Sequence, residues 1–225
     1  MGELISRIFG WFTSSAPQLP RDGLGESSVA EIEINNNHNI KEKLMGDTLN
    51  GLNLEGLGNL VEGLKANPHM AKSIWYAGSE WKGGFACDVS SRQFNWKIDE
   101  PTDLGGSDIA ANPVEMYLGS LCACLTIGYA LNATMMGIEI SKLKVEAEGD
   151  IDIPGFVGLA DAPGFEDQAK TPGYQKVRVH VKLKSSATPE QLQQIHQNVL
   201  ATSPVGLSVS NPVGLDVQIE TRRMA

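Results

Sequence analysis

Residues 112 to 124 read Asn112-Pro113-Val114-Glu115-Met116-Tyr117-Leu118-Gly119-Ser120-Leu121-Cys122-Ala123-Cys124, and this stretch decides the fold. Asn112 suits a helix N-cap, and Pro113 suits the first helical position, where a missing N–H costs nothing. The segment beyond is rich in Gly, Ala, Ser and Leu and carries no charge between Glu115 and Glu139. A helix apolar on most sides must be covered on most sides. The spacing predicts a helix from Pro113 to about Met136, stopped by Gly137. Cys124 lies about three turns into it, and a thiol on a buried helix is the best candidate for chemistry in this chain.

Working outward, Phe85, Cys87 and Val89 share one parity, as do Phe94, Trp96 and Ile98, which predicts a hairpin turning near Ser90-Ser91. Leu54, Leu57, Leu60, Val61 and Leu64 predict an earlier helix. Beyond the cysteine helix, Leu143, Val145 and Ala147 begin a strand. Val177, Val179, Val181 and Leu183 alternate with Arg178, His180, Lys182 and Lys184 in another. Thr188-Pro-Glu-Gln is a capping box opening a second long helix. Leu215, Val217 and Ile219 predict a last strand. Strands flanking two helices make an α+β architecture.

Several functions are excluded by composition. The 225 residues hold 18 basic and 27 acidic side chains, a net charge of −9, with no basic block to follow a phosphate backbone. Three cysteines without framework spacing point to a reducing, cytoplasmic setting. The four histidines show no paired ligand spacing, so no metal site is expected. No apolar run is expected to span a bilayer, and membrane contact is not anticipated. Residues 1 to 50 read as an extension and linker, with an apolar helical pattern through Leu4, Ile5, Ile8, Phe9, Trp11 and Phe12 that favours docking on protein. Residues 51 to 225 form the domain.

Trp81-Lys-Gly-Gly-Phe, Asp99-Glu-Pro, Leu104-Gly-Gly, Asn112-Pro-x-Glu, Cys124, Pro172-Gly-Tyr and Ser203-Pro-Val occur in the order and near the spacing of the OsmC/Ohr superfamily. The chain resembles that family over about residues 52 to 221. The resemblance implies antiparallel sheets around two central helices in an intertwined homodimer. It also implies a peroxide-attacking cysteine at Cys124, and no cofactor. Such chemistry needs a thiolate, yet a thiol of ordinary pKa is only ~3% ionised at pH 7. Cys124 lies ~16 Å along the axis from Pro113, beyond reach of the helix dipole, so a cation must come from elsewhere.

In the family that cation is an arginine near the first hairpin, held by a glutamate just after the Asn-Pro. Here the arginine position falls near Lys82, with Arg92 the nearest arginine. The glutamate position falls on Val114, and Glu115, one residue later, also fits a cap. The family's second cysteine is replaced by Ser203, so an oxidised Cys124 would need an external thiol reductant. Two classes therefore stay open. One is a cysteine-dependent hydroperoxide reductase of antioxidant stress response, lacking the second cysteine. The other is a non-enzymatic dimer that binds a small apolar ligand or senses redox state.

Overall fold

The computed structural model describes residues 48–166 and 171–221; the N-terminal pattern and linker read from the sequence lie outside them. After a 3-10 turn at Leu49–Gly51 comes α1 (Leu54–Ala66). Asn53 caps this helix by accepting the Gly56 N–H at 3.0 Å. Strands β1 (Gly78–Gly83), β2 (Ala86–Ser91) and β3 (Phe94–Ile98) form an antiparallel sheet in that order. The glycines of Trp81-Lys-Gly-Gly earn their place at the first turn, where Gly83 has φ 106 and Gly84 has φ 58, values that L side chains avoid. The hairpin forms as the alternation predicts, but its turn comes after Ser90-Ser91 rather than at them: it passes through Arg92 at φ 52 and brings Ser91 opposite Phe94.

The cysteine helix, α2, runs from Pro113–Met135. Asn112 accepts the Glu115 N–H at 2.9 Å, and the Glu115 carboxylate accepts the Asn112 N–H at 2.9 Å, a complete capping box. At 23 residues, with mean hydropathy 1.4 in its most apolar window, α2 is long and apolar enough to cross a membrane. This corrects the expectation that no apolar run approaches that length. Its partners here are protein: β4 (Ile140–Asp150) and α4 (Pro189–Thr202) pack along it.

Strand β4 pairs antiparallel with β5 (Lys176–Ser185), matching Leu143 to Leu183, Val145 to Val181 and Ala147 to Val179. Leu143, Val145, Val179, Val181 and Leu183 pack on a core of Leu121, Leu125, Tyr129, Ala133, Ile138, Ile195 and Val199. The opposite parity carries charge. Arg178 bonds Glu148 at 2.6 Å and Asp150 at 2.5 Å. Glu146 lies between Lys144 and Lys182, whose bonds hold its carboxyl down at about 2. The Tyr129 hydroxyl and His196 Nδ1 share a hydrogen bond, and burial pushes that phenol up to about 12.

Two elements depart from the sequence reading. Residues 204 to 210 form a further helix, α5 (Pro204–Ser210), capped by Ser203. The predicted last strand has no strand partner among the described residues. Residues 212 to 220 form neither helix nor strand, and Leu215, Val217 and Ile219 are 88%, 79% and 88% exposed. Between β4 and β5 the long connection adds one helical turn, α3 (Ile153–Phe156).

Asn50 fastens the end of α2 to the start of β4. Its amide nitrogen donates to Thr134 Oγ1 and to the Ile138 carbonyl, both at 2.9 Å, and its oxygen accepts the Ile140 N–H at 2.9 Å. Its φ of 54 lies in the left-handed region, which asparagine tolerates. We expect Asn50→Ala to lower stability by about 2 kcal/mol in urea unfolding, because three hydrogen bonds go and backbone groups are left bare. Asn50→Gly keeps the backbone conformation and loses the same bonds, so it should fall by a similar amount.

Candidate functional site

The loop between β3 and α2 sets the start of the cysteine helix. Asp99, 1% exposed, accepts the Ser107 N–H at 2.9 Å and the Ile109 N–H at 3.4 Å through Oδ2. Burial pushes its carboxyl up, but backbone N–H groups of Glu100, Ile109, Ser107 and Asp108 outweigh that and hold it below the usual range. Glu100 turns back to accept the Asn112 side-chain amide at 3.2 Å. The Leu104-Gly-Gly motif is explained here: a Cβ on Gly106 would sit 1.8 Å from the Glu100 carbonyl oxygen. From the far side, the Tyr174 hydroxyl donates to the Val114 carbonyl at 2.9 Å, and its ring stacks on Tyr117 with centroids 6.0 Å apart. The N-terminal turn of α2 is thus held by its own cap, by the preceding loop and by the strap leading into β5.

Cys124 lies on the seam of α2. At about 100° per residue, Leu121 and Leu125 fall to one side of it and Ser120, Ala123 and Ile127 to the other. The first side is buried, at 3% for Leu121 and 5% for Leu125. The second is exposed, with Ile127 at 66%. Cys124 itself is half-buried. Its Sγ lies 3.2 Å from Ser203 Oγ, across a sequence separation of 79 residues. Ser203, at the joint between α4 and α5, is 4% exposed, and its oxygen accepts the Gly206 N–H at 3.1 Å.

The structure thus brings two of the sequence-derived residues together and leaves three elsewhere. Glu115 uses its carboxylate in the cap. Lys82 is ion-paired with Glu80 at 2.6 Å and Asp88 at 3.9 Å on its own sheet, and the hydrogen bond to Glu80 raises its pKa. The Arg92 guanidinium lies 5.1 Å over the Phe94 ring. Among the described residues, no lysine or arginine is hydrogen-bonded to Cys124. Cys122 occupies a different face, ~200° around the helix from Cys124, and burial pushes its thiol up, with the Glu146 charge adding to the effect. Cys87 points its sulfur toward the Phe85 carbonyl at 3.8 Å. No group of three His, Cys, Asp or Glu among the described residues could hold a metal.

Sequence reasoning missed the cap that Ser203 makes, although Ser203-Pro204 is the usual N-cap and N1 pair. It also missed Asp99, whose partners are backbone amides that no side-chain pattern advertises.

A mixed fold of this topology, built around a capped helix that carries a half-buried cysteine beside the second helix's end, defines a class. A model of the OsmC-like protein family matches residues 105–218, and the chain belongs to that family. Among solved structures, the OsmC-like protein from Mycoplasma pneumoniae superposes with a TM-score of 0.50 at 17% identity. The match covers 62% of this chain and 89% of that one. An organic hydroperoxide resistance protein from Elizabethkingia anophelis gives a TM-score of 0.44 at 20% identity, over 61% of this chain and 90% of its own. OhrB, the organic hydroperoxide resistance protein of Bacillus subtilis, gives 0.39 at 16%, over 61% and 90%. Likeness at these identities concerns the fold alone. No curated protein matches the chain.

Asp99 provides a test of how the loop is held. A carboxyl with a depressed native pKa adds stability above its unfolded pKa of about 3.9, and that stability is lost as pH falls through the lower native value. We expect Asp99→Asn to melt below the parent at pH 7. The gap should narrow below pH 3, because the parent has then lost the same charge. Melting curves across pH 2 to 7 check this.

Proposed function

We propose that the protein is a one-cysteine OsmC-type thiol protein in which Cys124 reduces an organic hydroperoxide and is regenerated by an external thiol. The observation that carries this reading is the placement of Cys124 on the seam of α2, facing a hydroxyl at 3.2 Å rather than a second thiol. The thiolate attacks the distal peroxide oxygen. The O–O bond breaks, an S–O bond forms, and the alcohol leaves after taking a proton, so that Cys124 becomes a sulfenic acid. A small thiol then displaces water to give a mixed disulfide. A second thiol releases Cys124 and carries away the disulfide product.

The protein acts as a homodimer in this reading. Ile127 and Met116 on the open side of α2, Trp81 at 72% exposure on the three-stranded sheet, and the alternating residues Leu215, Val217 and Ile219 are all exposed among the described residues. A second copy supplies that cover, and with it a place from which Lys82 or Arg92 can approach the other chain's Cys124. Three unpaired cysteines suit a cytoplasmic setting.

The competing reading, a non-enzymatic dimer that binds a small apolar ligand, draws on the employment of Glu115, Lys82 and Arg92 elsewhere in this chain. One experiment separates the two. Limiting cumene hydroperoxide with a sulfenic-acid trap should label Cys124 and spare Cys87 and Cys122, as read by peptide mass spectrometry. No labelling at any cysteine favours the binding protein.

Ser203→Cys should convert the chemistry. Under mild peroxide this variant is expected to lose two free thiols per chain and form a Cys124–203 disulfide, while the parent stops at a sulfenic acid. Thiol titration and non-reducing peptide maps check the outcome. Sedimentation at micromolar concentration should give a dimer mass.

A further inference from the structure

Ser203 appears in the sequence only as the place of a missing thiol. Its surroundings give it a task of its own. At 4% exposure its hydroxyl proton cannot go to bulk water and needs an acceptor in the protein. A serine oxygen has one proton to donate and two lone pairs to accept with. The Gly206 N–H, 3.1 Å away, takes a lone pair. The backbone N–H of Ser203 is engaged separately, with the Val199 carbonyl at 2.9 Å. The proton remains, and the nearest polar atom across the joint is Cys124 Sγ at 3.2 Å, with which the hydroxyl shares a hydrogen bond.

The direction of this bond depends on the state of the sulfur. While Cys124 is a thiol, either group can donate. Once it is a thiolate it has no proton, and Ser203 must be the donor. A hydrogen bond to an ionised partner is roughly twice as strong as one between neutral groups, so the bond favours the thiolate over the thiol. The Gly206 amide strengthens it, because an oxygen that already accepts a hydrogen bond is a better donor.

We propose that Ser203 is the hydrogen-bond donor that stabilises the Cys124 thiolate, oriented by the Gly206 N–H at the first turn of α5. This rests on the assignment of Cys124 as the reacting thiol. It exchanges the family's disulfide-forming sulfur for a hydroxyl that polarises the nucleophile and cannot capture its oxidised form. Part of the activation assigned by resemblance to a cation is then supplied by a neutral side chain.

The test reads ionisation directly and does not depend on peroxide turnover. The rate of iodoacetamide modification of Cys124 is followed against pH by peptide mass spectrometry in the full chain. Ser203→Ala, which removes the donor, should slow modification of Cys124 at pH 7 by roughly tenfold, because less of the sulfur is then held as thiolate. Ser203→Thr keeps the hydroxyl and should restore the parent profile. Because alanine also removes the cap of α5, both variants are first checked for native circular dichroism. A less stable but folded Ser203→Ala that is modified at the parent rate across the pH range would overturn the proposal and leave Ser203 as a cap alone. A slowing that threonine fails to reverse would overturn it too, since volume rather than the hydroxyl would then be responsible. Failure of the parent to react with peroxide would sink the reductase reading and leave this measurement standing.

Discussion

A helix of 23 residues with no charged side chain after Glu115 has few ways to exist in water, and the rest of this protein is arranged around that fact. Burying apolar area contributes about 25 cal/mol per Å², and a helix such as α2 has that area on nearly every side. Strand β4 and helices α4 and α5 take one side through Leu121, Leu125, Tyr129 and Ala133. The other side, with Ile127 at its centre, stays open among the described residues. The ends are secured by polar devices: a capping box and the Asp99 loop at the start, and the Asn50 amide at the finish. Side chains that bond backbone are suited to this, since an apolar surface alone would not fix where the helix begins or how it is turned.

The same constraint explains how the candidate thiol is sited. A cysteine in the middle of the buried side would be inert, and one in the middle of the open side would be an ordinary surface thiol. Cys124 sits between the two. There its sulfur is held by protein on one side and approachable from the other. The i,i+2 neighbour Cys122 shows the alternative, since the same helix gives it a different face and burial raises its pKa. Position on the helix, more than residue type, separates the two thiols.

Most of the fold was legible in the sequence because its elements announce themselves locally. Asn112-Pro113 and Thr188-Pro189 mark helix starts through caps, and alternation in residues 177 to 183 fixes both the strand and its wet face. The last strand failed because alternation records a face to be covered and says nothing of whether the cover lies in the same chain. Leu215 and Ile219 have the pattern and no strand partner among the described residues. At the site, Cys124 and Ser203 were found by motif. Their 3.2 Å approach and the joint role of Gly206 were not, because contacts across 79 residues leave no periodic trace. Lys82 illustrates the opposite limit. A lysine beside the right motif was a reasonable candidate, but Glu80 and Asp88 hold its charge, and their competition is a matter of register rather than spacing.

The Asn50 clasp also ties the Leu49–Gly51 turn to the far end of the cysteine helix. The Asn50 amide bonds in the last turn of α2, whose axis is ~34 Å long. Cys124 lies about halfway along, so the clasp and the thiol are separated by several turns of rigid helix. A fluorophore attached beside Asn50 would therefore report from the end of α2 away from Asn112, leaving the sulfur itself untouched.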